Sequence, residues 1–148
     1  PLEVYRSPSN PFVANFVGVT NLFHGMLESL KGQQVAIRIS QQTLLGTSKS
    51  ENSALTQGVS VQAAIRAEQI RLFRGKSESR ECEAYFEGRV TDVIFEGERI
   101  LYELSVAALS NTLIRVIHHD QRDFSTFEIG ETVFVGWQSR DMHVFVVD

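Results

Sequence analysis

Cysteine is almost absent from this 148-residue sequence, in which Cys82 is the single one. One cysteine cannot form an internal disulfide framework, and this fits a reducing compartment. Long apolar runs are also missing, because no stretch approaches the roughly 18 consecutive apolar residues of a membrane-spanning helix. The sequence does have 43% hydrophobic and 22% charged residues. That balance is typical of a globular chain that buries a core.

The common catalytic motifs are missing too. The sequence contains no G-x-x-x-x-G-K-[ST] phosphate-binding loop, and no G-x-S-x-G, H-E-x-x-H or C-x-x-C motif. The sequence His118–His119–Asp120 is the one candidate for a metal site. Adjacent residues of a strand point to opposite faces, so both histidines cannot bind one ion while the strand continues. We therefore expect no catalytic, cofactor-binding or metal site.

Nucleic acid is disfavoured as a partner by the charge distribution. The net charge is −4, and the only basic cluster is formed by Arg66, Arg71 and Arg74. Aromatic residues are not interleaved with these arginines, as a surface that stacks bases would require. We interpret the cluster as a solvated turn with Arg–Glu pairs.

Alternation of apolar and polar residues dominates from Leu22 onward and predicts short β-strands. Two pairs of segments repeat the same layout. "FHGMLESLKGQQVAIRI" at 23–39 matches "FEGRVTDVIFEGERILYELSV" at 86–106, and "GVSVQAAIRAEQIRLF" at 58–73 matches "GETVFVGWQSRDMHVFV" at 130–146. Each half supplies about five strands, the number in a small Greek-key barrel of the OB kind.

We therefore predict a mostly β fold of two OB-like barrel units with the same strand order. The two similar halves are predicted at about 22–75 and 84–148, within a region that spans 22–148. Residues 40–46 and 112–118 are the expected middle strands.

The stretch "SNPFVANFVGVTNLF" at 9–23 differs from the rest because it predicts a short helix. Asn10 is a good N-cap, and Pro11 occupies the first helical position. Gly18 can end the helix in a left-handed conformation. Such a short helix is unstable alone, so it must pack on something. We interpret residues 1–21 as a helical connector from a missing domain; the alternative is a helix that caps its own barrel.

The chain resembles the C-terminal region of ATP-binding subunits of bacterial ABC importers, where the TOBE (transport-associated OB) domain lies. The run "PLEVYRSPSNPFVANFVGVTNLFHG" at 1–25 is similar to the family pattern x-E-V-Y-x-x-P-x-N-x-F-V-A-x-F-x-G-x-x-N. "VQAAIRAEQIRL" at 61–72 resembles I-R-P-E-x-I-x-L, with Ala67 where the family has proline. The segments 86–106 and 131–145 resemble the last barrel of the family. The likeness is closer to the polyamine, iron and sugar importer branch than to the molybdate branch.

This resemblance implies a regulatory and dimerisation domain that is not itself an enzyme. The ATPase of the parent protein, with its ATP and magnesium, lies in a domain that precedes this region, and no cofactor is expected here. The implied partners are a second copy of the chain, its own ATPase domain and the membrane permease subunits, on the cytoplasmic face of the bacterial membrane. The alternative function is an OB-type domain that binds a small ligand, an oxyanion or the transport substrate.

Dimerisation would be two-fold, with each subunit using the same patch. Apolar residues near the C-terminus exceed the needs of one small barrel. The candidates for the interface are Phe124, Phe127, Phe134, Trp137 and Phe145. The alternative is that they fill the second barrel.

Overall fold

The computed structural model describes residues 19–48, 56–76, 82–119 and 126–146. In these ranges the chain forms ten β-strands: β1 (Thr20–Lys31), β2 (Gln34–Ile39), β3 (Gln42–Thr47), β4 (Ser60–Arg66), β5 (Arg71–Phe73), β6 (Ala84–Glu96), β7 (Arg99–Val106), β8 (Thr112–His119), β9 (Thr132–Trp137) and β10 (His143–Val146). Short 3₁₀ helices lie at Ala67–Gln69, Ala107–Leu109 and Ser139–Asp141. None of the helices within these four ranges is long and apolar enough to cross a membrane.

The strands divide between two compact units. Among the described residues, the first unit contains the chain up to Arg66 and the segment from Ser139 onward, and the second contains Ala67–Gln138. The predicted middle strands are present as β3 and β8. The predicted connector at 1–21 falls mostly on residues 1–18, outside the described ranges, and Thr20 and Asn21 already belong to β1.

The first unit is a closed barrel in the order β1-β2-β3-β10-β4. β4 pairs with β1, so that Thr20 lies opposite Arg66. β10 lies between β3 and β4, parallel to the former and antiparallel to the latter. The alternating apolar residues of these strands form the buried core, which includes Phe23, Leu27, Val35, Ile37, Val61, Ile65 and Val144.

The second unit is a five-stranded sheet in the order β5-β9-β6-β7-β8. Its neighbouring strands are all antiparallel. Alternation again supplies the core, because every second residue of β7 faces inward. The largest buried side chains of this unit include Trp137, Tyr102, Leu104 and Ile114.

The two units have the same strand order when β1, β2, β3, β4 and β10 are matched with β6, β7, β8, β9 and β5. Phe23 lies opposite Ala63 in the first unit, and Phe86 lies opposite Val135 in the second. The predicted mostly β fold with two OB-like units is therefore confirmed.

The membership of the units differs from the predicted contiguous halves. After β4 the chain turns through Ala67–Gln69 into β5, which pairs with β9 of the second unit. After β9 it turns through Ser139–Asp141 into β10, which pairs with β3 and β4 of the first unit. The second unit is thus completed by β5, which directly follows the last contiguous strand of the first unit. The first unit is completed by β10, which directly follows β9 of the second.

The repeat extends to individual hydrogen bonds. The pairing of β1 with β2 shifts by one residue after Leu27, and that of β6 with β7 shifts after Val90. At each shift a glycine N–H donates to the carbonyl oxygen of the residue that precedes the shift. Gly58 donates to Leu27 and Gly130 donates to Val90, both at 2.8 Å. These glycines have φ of +88° and +90°, a conformation that other residues rarely adopt.

Candidate functional site

The hairpin of β6 and β7 presents an exposed apolar surface. Phe95 is 68% exposed, more than any other large apolar side chain in the described ranges, and Ile94 is 40% exposed. Residues 93–95 are consecutive and apolar, so their side chains lie on both faces of the strand. Val93 is half-buried opposite Tyr102, whereas the exposed Ile94 and Phe95 are suited to a contact with another molecule.

The outer side of β6 in this hairpin is unpaired among the described strands. The ladder between β6 and β9 ends where Arg89 lies opposite Thr132, and Val90 N–H then donates to the Glu131 carbonyl at 3.0 Å. From Thr91 to Glu96, β6 pairs only with β7. We name this stretch, Thr91–Glu96 along its outer side, the β6 edge.

The β6 edge is acidic. Asp92 and Glu96 lie on it, and Glu98 follows in the turn before Arg99. Arg99 forms an ion pair with Glu96, with Nε 3.3 Å from Oε1. Asp92 Oδ1 accepts the backbone N–H of Val93 at 2.9 Å. The site can therefore offer backbone hydrogen bonds, apolar contacts and negative charge.

Arg74 contacts the segment 126–131, which precedes β9, through three interactions. Its guanidinium lies 4.3 Å from the centre of the Phe127 ring, donates to the Thr126 carbonyl at 3.2 Å and forms an ion pair with Glu131. Phe127 N–H donates to Tyr102 Oη at 3.2 Å. Burial raises the pKa of Tyr102, and the hydrogen bond from Phe127 and the charge of Arg74 oppose that rise. The predicted Arg–Glu pairing is thus seen at Arg74, in a structural role.

The two adjacent histidines lie on opposite faces of β8, as expected from strand geometry. His118 lies opposite Ile100, with its ring edge-on to Tyr102 at 5.8 Å, whereas His119 is exposed. Burial lowers the pKa of His118, and the charges of Arg71 and His119 lower it further. Asp120 lies outside the described ranges. Across the described part of the chain, no group of three His, Cys, Asp or Glu residues could hold a metal ion.

Comparison with protein families matches residues 63–145, more than half of the chain, to the TOBE domain. The chain belongs to the TOBE domain family. Two curated relatives of this TOBE domain are proteins named spermidine/putrescine import ATP-binding protein PotA. The one from Rubrobacter xylanophilus is 29% identical over 142 residues, which are 95% of this chain and 35% of the relative. The one from Trichodesmium erythraeum is 28% identical over 120 residues, 78% of this chain and 31% of the relative.

The TOBE domain thus spans about a third of the length of these relatives. The expected resemblance to importer ATP-binding subunits is confirmed, and the matched region is the TOBE domain rather than the ATPase. A solved structure of the cytoplasmic molybdate-binding protein ModG, with molybdate bound, has a TM-score of 0.77 at 16% identity. The match covers 89% of this chain and 99% of ModG. At that identity the likeness concerns the fold alone.

Within the TOBE domain, three of the interface candidates lie in the interior. Phe127, Trp137 and Phe145 are at most 3% exposed. Phe134 is half-buried, and Phe124 lies outside the described ranges. The burial of those three corrects their assignment to a surface between subunits, because they pack inside the chain. The homodimer itself stays a prediction.

The sequence analysis missed the β6 edge. Its signal was the run Val93–Ile94–Phe95, which breaks the alternation just before the turn at Gly97. A run of three apolar residues in a strand with one buried face must present at least one of them to the outside.

Proposed function

We propose that this TOBE domain is the regulatory and dimerisation domain of the ATP-binding subunit of a bacterial ABC importer. The observation that carries the proposal is the match to an import ATP-binding protein over 95% of the chain. Because the chain spans only a third of that relative, ATP and magnesium would be bound by another region of a longer protein. Its partners would then be that ATPase region, a second copy and the permease subunits, at the inner face of the membrane.

The family match supports a non-catalytic role, because the matched region is the TOBE domain and not the ATPase. The β6 edge exposes apolar and acidic side chains, which suit binding to another protein.

An ATP hydrolysis assay tests the enzymatic part of the proposal. We expect no turnover by the purified 148-residue chain, and turnover by the full-length gene product under the same conditions. Turnover by the short chain that co-elutes with it through successive purification steps would contradict the proposal.

Sedimentation velocity tests dimerisation. We expect the chain to self-associate weakly, because contacts made by the ATPase region are missing. An interface below about 1,200 Å² would fit such a transient contact. A strictly monomeric chain at concentrations on the order of hundreds of micromolar, where an association of about 5 kcal/mol is visible, would assign dimerisation to the ATPase region alone.

A second candidate function is the binding of a small ligand, an oxyanion or the transport substrate. The fold likeness to the molybdate-binding protein ModG, over 99% of the length of ModG, favours it. A ligand that binds only the folded state raises the melting temperature. A thermal-shift screen with molybdate, sulfate, spermidine and ferric chelates tests it. A reproducible rise with one of them would favour this function over the interaction role.

A further inference from the structure

We propose that the β6 edge binds an extended segment of a partner protein, which adds to the sheet as an antiparallel strand. The segment has three apolar residues between two basic ones. This inference does not depend on the importer role, because it rests on the backbone, burial and charge of the β6 edge alone.

The backbone of the β6 edge has the geometry that strand addition requires. The two-residue turn at Gly97 and Glu98 makes Glu96 and Arg99 the first hydrogen-bonded pair of the hairpin. Pairs alternate along an antiparallel ladder, so Phe95 and Val93 direct their N–H and C=O groups away from β7. The bond from Val93 N–H to the Asp92 carboxylate agrees with this orientation. An added strand would form hydrogen bonds with the N–H and C=O of Phe95 and with the C=O of Val93. The Val93 N–H would then donate to a carbonyl of the added strand in place of the Asp92 carboxylate.

The corresponding edge in the first unit is shorter than the β6 edge and carries a lysine. β1 continues past its register shift only from Ser29 to Lys31. Short edge strands and lysines are devices that block unwanted pairing. The β6 edge runs from Thr91 to Glu96 without lysine or proline.

Side chains supply affinity on both faces of the β6 edge. Ile94 lies on one face, and the 68%-exposed Phe95 lies on the other. A strand laid alongside would cover both, and each apolar pair across the two strands contributes to binding. The partner residues that face Val93, Ile94 and Phe95 are therefore apolar.

The carboxylates of the β6 edge favour a partner segment with basic residues. Asp92 and Glu96 share a face with Ile94 and flank it at a distance of two residues on either side. A second copy of this chain, paired antiparallel about Ile94, would place Asp92 opposite Glu96 twice, and like charges directly opposite each other are destabilising. A segment with lysine or arginine at both flanking positions gains two attractive pairs instead. The occupant is therefore a basic–apolar–apolar–apolar–basic segment of a different protein.

Titration of the folded 148-residue chain with the synthetic peptide TKVIVKT tests this inference by amide-resolved NMR. We expect shift changes confined to Thr91–Glu96 and slower exchange of the Phe95 amide, which a new ladder would protect. The peptide TKPIVKT serves as the control and should not bind, because its proline lies opposite Phe95 and has no N–H to donate to the Phe95 carbonyl. The absence of binding up to about 1 mM, or equal binding of the proline peptide, would overturn the proposal.

Variants of exposed residues locate the site and test its charge. Phe95→Lys should abolish binding, whereas Leu113→Lys, at a side chain that is 55% exposed on β8, should leave it unchanged. The double variant D92K/E96K should bind TKVIVKT roughly tenfold more weakly and should acquire affinity for TEVIVET, because two attractive cross-strand pairs reverse sign. Melting temperatures identify any variant that has not folded. If Phe95→Lys instead abolished self-association of the chain, the occupant would be a second copy, contrary to the proposal.

Discussion

At the residue scale, His118 shows how burial sets the response of this protein to acid. Its ring lies on the inner face of β8 against Tyr102, and burial, Arg71 and His119 lower its pKa from the ordinary 6.5. The unfolded chain therefore binds a proton at a pH where the folded chain does not. The contribution of neutral His118 to the free energy of unfolding is fully present above pH 6.5. It is lost as the pH falls through the lowered pKa of the folded state.

We predict that the free energy of unfolding falls between about pH 7.5 and about pH 5.5 by an amount that His118→Gln reduces, each unit of pKa difference being worth about 1.4 kcal/mol. Chemical denaturation at both pH values measures this. His119→Gln, at the exposed neighbouring position, is the control and should keep most of the pH dependence. An unchanged dependence in His118→Gln would assign the effect to other groups.

At the scale of elements, the two matching F-x-G segments have different tolerance for a side chain. A Cβ at Gly25 in β1 would lie 2.5 Å from the carbonyl oxygen of Arg38, so the backbone of β2 would have to move. A Cβ at Gly88 in β6 would meet nothing closer than the Ser105 carbonyl oxygen at 3.5 Å, an ordinary contact. Equivalent positions in the repeat are thus packed to different densities.

We predict that Gly25→Ala lowers the free energy of unfolding by about 1–3 kcal/mol through overpacking, whereas Gly88→Ala changes it by less than about 1 kcal/mol. Denaturant titration of the two variants at the same pH provides the comparison. Equal losses would contradict the difference in packing between the two positions.

At the scale of the whole molecule, stability depends on which unit each closing strand enters. Val144 of β10 is 2% exposed and lies opposite Ala63 in the first unit, and Leu72 of β5 is 5% exposed and lies opposite Val135 in the second. From their positions in the sequence, Leu72 would be assigned to the first unit and Val144 to the second.

We predict that Val144→Ala lowers the free energy of local opening in β1–β4 by roughly 1–4 kcal/mol. Leu72→Ala should lower it by a similar amount in β6–β9. Amide hydrogen exchange, resolved by strand, measures both effects. Greater exchange in β6–β9 after the Val144 substitution would contradict the strand assignment.

The strands and their order were predictable because local patterns encode them. Alternation located β2 and β7, and the matched glycines at 58 and 130 aligned the two halves. The choice of partner strand was not predictable, because the residues of β5 and β10 suit either unit equally: both have an apolar residue followed by phenylalanine, Leu72–Phe73 and Val144–Phe145. Three of the interface candidates, Phe127, Trp137 and Phe145, are buried, which their residue type alone could not reveal, because an apolar side chain suits a core and an interface equally. Phe127 fills space beneath Arg74, a partner distant in sequence.

The exchange of closing strands also governs what happens while the chain is being made. β4 ends at Arg66, but the strand that must be inserted between it and β3 begins only at His143. At about 5–20 residues per second, the ribosome needs roughly 4–15 s to synthesise the intervening segment. During that interval the first barrel has two open edges, β3 and β4, whereas the second unit gains its strands one after another and receives β9, the partner of β5, shortly before β10 is made. The part of the chain that is synthesised first is therefore the part that finishes folding last, and its nascent form is the one that a chaperone would need to protect.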